Sequence, residues 1–158
     1  MHIAIGCDHR GVAVKDFIKG LLTDAGHTVR DCGACSTEPV DYPDIAREVA
    51  LSVARGECQQ GVIICNTGIG VSIAANKVRG IRAALCCDAF MAERARQHND
   101  ANILCVGTVL KPEALREIIS AYLAANFEGG RHQRRVEKIA AMEGLAPGEG
   151  TAACLRQP

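Results

Sequence analysis

The sequence predicts an α/β fold: three layers, with helices on both faces of one doubly wound, five-stranded parallel sheet and an extra C-terminal helix. Two observations lead there. Short apolar runs rich in β-branched residues recur along the chain, and the segments between them repeat apolar side chains at the 3.6-residue period of a helix. Strand alternating with helix calls for right-handed crossovers, which bury both faces of a parallel sheet.

The strands are expected at His2 to Cys7, Thr28 to Asp31, Gly61 to Cys65, Arg82 to Cys86 and Asn102 to Val106. The first helix carries Val14, Phe17, Ile18, Leu21, Leu22 and Ala25 on one face and stops at Gly26, a residue suited to a helix C-terminus. Pro43 suits the first turn of the second helix, which buries Ile45, Val49 and Val53 before Gly56. A short helix containing Ile73 and Ala74 follows Gly70. Asp88 can cap a helix that sets His98 and Asn99 at its far end. Pro112 opens another over Leu115, Ile118, Ile119 and Leu123, and Arg131 to Glu143 forms one more beyond the last strand, suited to packing on a partner subunit.

Length and composition narrow the class. At 158 residues the chain supports one domain, expected over residues 1–143, with a flexible tail at 144–158 that is rich in Gly, Ala and Pro. The 18 basic and 18 acidic residues cancel, so no global charge attracts nucleic acid or an anionic membrane. Scarce aromatics and no Trp argue against base stacking. No apolar run reaches the roughly 20 residues of a membrane helix. Nine cysteines without a secretory leader fit reduced thiols in a cytoplasm.

Three stretches should meet at strand carboxyl ends, where ligands sit in such sheets. They are Cys7-Asp8-His9-Arg10-Gly11, Cys65-Asn66-Thr67-Gly68-Ile69-Gly70-Val71-Ser72, and Cys86-Cys87-Asp88. In the second, Gly68 and Gly70 allow a tight turn that points successive N–H groups into a concavity at a helix start. Such a loop stabilises an oxyanion or phosphate.

Several motifs fail here. The phosphate loop Gly-x-x-x-x-Gly-Lys-Ser/Thr does not occur. A cysteine phosphatase needs Arg where Val71 stands. The dinucleotide fingerprint comes nearer, with Gly68-x-Gly70 and with Asp88 twenty residues past Gly68, but Ile73 fills the slot of the third glycine.

By spacing alone Cys65 reads as a small buried hydrophobe. Its position beside backbone donors and a helix N-terminus points instead to a thiol of lowered pKa, able to take a proton from carbon and sensitive to oxidation. His98 can cap carbonyls or act as an acid/base. Cys32-x-x-Cys35 lacks the second pair of a zinc site, so no metal is expected. Cys86-Cys87 looks structural. Arg131 and Arg135, in a basic cluster with His132 and Arg134, lie on one side of a helix and can clamp a phosphate.

These residues resemble the ribose-5-phosphate isomerase B family, within the wider group that includes galactose-6-phosphate isomerase. The match runs through Ile3-Ala4-Ile5-Gly6-Cys7-Asp8-His9, Val40-Asp41-Tyr42-Pro43-Asp44, and the Cys65 loop into Ser72-Ile73-Ala74-Ala75-Asn76-Lys77. It continues at Gly80-Ile81-Arg82-Ala83-Ala84, Arg96-Gln97-His98-Asn99-Asp100-Ala101-Asn102 and Gly129-Gly130-Arg131-His132-x-x-Arg135-Val136.

The resemblance implies a Rossmann-like or flavodoxin-like fold, a homodimer or tetramer with active sites shared between subunits, a sugar-phosphate substrate, and no cofactor. It also implies roles. Cys65 is the base that moves a proton between sugar C1 and C2, His98 of the partner chain assists ring opening, and Thr67 helps at the ring oxygen or a hydroxyl. The backbone of Gly68, Ile69, Gly70, Val71 and Ser72 holds the enediolate, Asp8 and Tyr42 the sugar hydroxyls, and His9, Arg131 and Arg135 the phosphate. Asn99 steadies the substrate.

One branch of the family uses a carboxylate base at the position of Val71, which valine rules out here. Two departures stand out. Asn66 replaces the usual glycine after the cysteine and sets a side chain beside the anion loop, and Val109 occupies the place of a phosphate-binding Arg, with Lys111 two residues on. Isomerisation of allose 6-phosphate or galactose 6-phosphate is therefore an alternative. A non-catalytic nucleotide-binding module, which would depend on Asp88, is the alternative from another class.

Overall fold

The computed structural model describes residues 1–36 and 38–144. Its elements run β1 (His2–Cys7), α1 (Val12–Asp24), β2 (Thr28–Asp31), α2 (Tyr42–Ala54), β3 (Gln60–Cys65), α3 (Ile69–Ala75), β4 (Ala83–Leu85), α4 (Ala89–Asn99), β5 (Ile103–Gly107), α5 (Pro112–Ala124) and α6 (Arg131–Met142). All strand pairs are parallel, in the order β2-β1-β3-β5-β4. The tail expected at 144–158 falls, beyond Gly144, outside the described residues.

The apolar runs become strands because a central parallel strand is buried on both faces. Every residue of β3 and of β5 is buried. Alternate side chains feed two cores. Ile3, Ile5, Val62, Ile64, Leu104 and Val106 meet α1, α4 and α5 through Ile18, Leu22, Ala92, Ala95, Leu115 and Ile118. Ala4, Ile63, Ile103 and Cys105 meet α2 and α3 through Ala46, Val49, Val71 and Ala75. The C-terminal helix α6 packs on α4 of its own chain and buries His132 and Val136.

Most ends shift by a residue or two, as frayed ends do. β4 is shorter than expected, three residues instead of five. At its start the backbone N–H of Arg82 is taken by the Asn102 side chain, at 2.8 Å. The short third helix begins at Ile69, before Gly70, because Gly68 takes the left-handed conformation (φ 77°) and turns the chain into the helix one glycine earlier.

Gly68 is required twice over, since a Cβ there would sit 2.6 Å from Leu85 Cδ1 and 3.1 Å from the Val106 carbonyl carbon. Gly68→Ala is expected to cost about 2–4 kcal/mol through left-handed strain and overpacking. Urea unfolding measures it, and a loss below about 1 kcal/mol would mean that the loop relaxes freely.

Candidate active site

Strand order reverses between β1 and β3. From β1 the chain turns to α1 on one face, and from β3 to α3 on the other, so the two loops diverge and leave a crevice at the strand carboxyl ends. Asp8 and Cys65 meet there. The Cys65 thiol donates to Asp8 Oδ2 at 3.3 Å, both residues being buried. Asp8 Oδ1 accepts from the Arg10 backbone N–H at 2.9 Å. On the other side the Thr108 N–H donates to the Cys65 carbonyl at 2.9 Å, which keeps Cys65 in register with Gly107.

The expected low thiol pKa is not what this geometry produces. Burial pushes the Cys65 thiol up, and its hydrogen bond to the Asp8 carboxylate and that group's charge push it further. The N–H groups of Asn66 and Thr67 oppose the rise without reversing it. The resting site holds a thiol, and the oxidation sensitivity expected of a thiolate loses its ground.

Around this pair the loop is arranged as follows. Asn66 and Thr67 are exposed, and Thr67 Oγ1 accepts the Ile69 N–H at 3.3 Å. The first-turn amides of α3 have no acceptor within the helix. Ser72 turns its hydroxyl inward to the Ile69 carbonyl, at 2.8 Å. Val71 is wholly buried and belongs to the core.

Gly70 is needed because the Tyr42 ring lies over it, 2.8 Å from where a Cβ would stand. Tyr42 reaches this place from the first turn of α2, which follows a loop tied down beneath. Lys15, buried, bonds Asp31 at 2.9 Å and the Ala34 carbonyl at 2.8 Å, and farther along the same loop the Val40 N–H donates to His9 Nδ1 at 3.3 Å.

The other expected site residues lie elsewhere in the same chain. β5 starts at Ile103 opposite Gly61 and ends at Gly107 opposite Cys65, so the two ends of the sheet are about 13 Å apart along the strands. α4 runs back from the carboxyl end, which brings His98 and Asn99 to the amino end. Arg82 locks that turn, its Nε donating to the carbonyls of Asn99 and Asp100 at 3.0 and 2.9 Å. Asp100 holds a left-handed C-cap (φ 45°) through ion pairs to Arg82 and Arg96 at 2.9 and 2.8 Å.

Arg131, Arg135 and His132 of α6 join this second group, with both arginines exposed. His98 and His132 stack with ring centroids 4.1 Å apart and planes within 5°. Glu128 Oε2 lies 3.8 Å from His98 Nε2 and 3.6 Å from His132 Nε2. Parallel rings aim their lone pairs side by side, and Arg131 Nε donates to His132 Nε2 at 3.3 Å, so this trio is poorly set to chelate an ion. Among the described residues no other cluster has metal-ligating spacing, and none includes Cys32 or Cys35.

Sequence reasoning passed over Glu128, which lies in a loop whose N–H bonds the Gln97 carbonyl at 3.0 Å. Nothing local marks that contact. Asp88, the residue on which a nucleotide-binding reading depends, spends its carboxylate capping α4 at the Met91 N–H, 2.7 Å away.

The sequence profile described as Ribose/Galactose Isomerase matches residues 3–139. The chain belongs to the ribose/galactose isomerase family. It is 50% identical over 142 residues to ribose-5-phosphate isomerase B of Escherichia coli, covering 89% of this chain and 95% of that one. It is 45% identical over 141 residues to D-erythrulose-4-phosphate isomerase of Pectobacterium atrosepticum, covering 88% and 93%.

Among solved structures, ribose-5-phosphate isomerase B of Clostridium thermocellum superposes with a TM-score of 0.89 at 49% identity, over 90% of this chain and 97% of that one. The type B enzyme of Trypanosoma brucei gives 0.88 at 49% identity, over 90% and 98%. The fold and the family expected from the residues are thus the observed ones, and the chain is an isomerase of sugar-phosphate type. Family membership of this kind leaves the non-catalytic nucleotide module without support.

Proposed function

We propose that the protein interconverts ribose 5-phosphate and ribulose 5-phosphate without a cofactor, in active sites built between two copies of the chain. The observation that carries this reading is the Cys65–Asp8 pair set in the switch-point crevice beside the Gly68 turn. Ring opening breaks the bond between C1 and the ring oxygen. His98 of the partner subunit supplies a proton to that oxygen, and the anomeric hydroxyl, held near Thr67, releases its own to solvent water. Once Cys65 has lost its thiol proton to solvent, the thiolate removes the C2 proton, the α3 amides hold the enediolate while the hydroxyl proton passes from O2 to O1, and the carbon-bound proton returns at C1. Tyr42 and Asp8 bind hydroxyls, Asn99 steadies the sugar, and His9, Arg131 and Arg135 neutralise the phosphate.

The separation of the two residue groups supports a shared site, since one chain cannot bring His98 to Cys65. Exposed apolar side chains border both groups: Ile69, Phe90 and Val109 beside the first, Ile139 and Met142 on α6 beside the second. A two-fold dimer can cover both at once. No described helix is long and apolar enough to cross a membrane, and the free thiols of the described residues fit a cytoplasmic enzyme.

The Pectobacterium relative makes a four-carbon substrate the second reading, together with Asn66 and Val109, which change the floor and the phosphate end of the site. Purified protein in chelator, assayed on ribose 5-phosphate, erythrose 4-phosphate and allose 6-phosphate in parallel, separates the cases. Highest kcat/KM on ribose 5-phosphate is expected. A preference for another sugar moves the substrate and keeps the mechanism, and silence on all three rejects the reading.

Because the protonated thiol is the resting form and its pKa is raised, activity should climb about tenfold per pH unit on the acid side of that pKa. Asp8→Asn removes the acceptor and the charge that help raise it, so the rising limb should move to lower pH even though the maximum falls. A limb that stays in place would separate the pH dependence from Cys65.

A further inference from the structure

We propose that His132 and Glu128 are positioning residues for ring opening, with the His132 imidazole serving as the plate against which His98 is held. The inference rests on the ring-opening role given to His98 above. His98 stands on the last turn of α4 with about a third of its side chain open to solvent, and an exposed imidazole in that place turns freely about its terminal torsion. Here it does not stand free. Its face lies on the His132 ring, 4.1 Å away and within 5° of parallel.

His132 is buried at the first turn of α6, in a helix that packs on α4, so the plate is rigid. Its charge state is settled by its neighbours. Burial lowers its proton affinity, and the charges of His98, Arg131 and Arg135 lower it further, against Glu128 alone. Arg131 Nε–H points at His132 Nε2, at 3.3 Å, which leaves the ring hydrogen on Nδ1 in the neutral tautomer.

Two stacked imidazoles so close cannot both be cationic without strong repulsion. The neutral plate therefore sets no like charge against the His98 ring. Glu128, 4.0 Å from Arg94 Nη1, faces His98 Nε2 at 3.8 Å and orients the imidazole from that nitrogen, which leaves Nδ1 for the ring oxygen.

Ring opening can be read apart from isomerisation. In Cys65→Ala protein, ribose 5-phosphate labelled at C1 should exchange between its α and β anomers through opening and reclosure, measured by carbon-13 saturation transfer. Adding His132→Ala should lower the catalysed exchange about tenfold, and Glu128→Gln, an exposed change that does not threaten the fold, about threefold. His132→Phe keeps the flat face and should stay within about twofold of the parent. The ring protons of His98 should be shifted upfield by the stack in the parent and in His132→Phe, and not in His132→Ala.

The proposal is overturned if neither His132→Ala nor Glu128→Gln slows the exchange, or if His132→Phe is as slow as His132→Ala. Adding His98→Asn to the Cys65→Ala parent tells the two levels apart. Exchange abolished by His98→Asn but untouched by His132→Ala and Glu128→Gln sinks the positioning role alone. Exchange untouched by His98→Asn sinks the ring-opening reading, and the positioning role with it.

Discussion

Cys65→Ala is expected to lower ribose 5-phosphate turnover about 10³-fold, the share of rate that a positioned acid/base group supplies, with little change in substrate affinity. The reason is local. The substitution removes Sγ, the atom that contacts Asp8 at 3.3 Å, and leaves the backbone that forms the anion loop. The Thr108 N–H still meets the carbonyl of residue 65, at 2.9 Å, and the Gly68 turn does not depend on the thiol. The small void left in a mostly apolar surround should cost about 1 kcal/mol of stability, too little to unfold the chain. Because the variant does not consume substrate, ribose 5-phosphate itself can be titrated calorimetrically. Normal turnover in Cys65→Ala would end the assignment of Cys65 as base, whereas loss of binding together with turnover would make its role structural.

Two inactive variants are expected to rescue each other. Cys65→Ala and His98→Asn damage opposite ends of the sheet, and in a shared site each pairs with the intact residue of the other chain. A heterodimer then contains one doubly damaged site and one intact site. Random mixing makes half of the dimers heterodimers, so co-refolded variants should recover about one quarter of wild-type activity. No recovery, with heterodimers present by mass spectrometry, would mean that Cys65 and His98 do not act in a common site across two chains. The size of the effect comes from the geometry, because the extended sheet between the groups leaves no conformational route that would join them within one subunit.

Much of this was legible in the residues themselves. Helix α2 follows from Pro43 at its start and Val49 and Val53 on its buried face, and β3 follows from an apolar run that a parallel sheet can bury on both sides. The Gly68-x-Gly70 loop announced a tight turn, because the left-handed conformation it needs is open to few other residues. The resemblance carried the rest of the candidate site, down to His98 and Arg131.

Local sequence failed where the deciding neighbour is far along the chain. Cys65 was expected to ionise easily because the adjoining amides and helix start are visible in its own segment. Burial, and with it Asp8, 57 residues away, raises its pKa instead, and only the pairing of β1 with β3 brings Cys65 and Asp8 together. His132 reached His98 in the same manner, through the packing of α6 on α4, and Glu128 through its N–H bond to the Gln97 carbonyl.

What the sequence determined by itself was therefore the elements, their alternation and the identity of the chemical groups, since periodicity, turns and caps depend on residues a few positions apart. The tertiary structure alone decided which groups face one another and in what charge state. Burial and through-space charge depend on distance in the folded chain, and distance along the sequence does not set them.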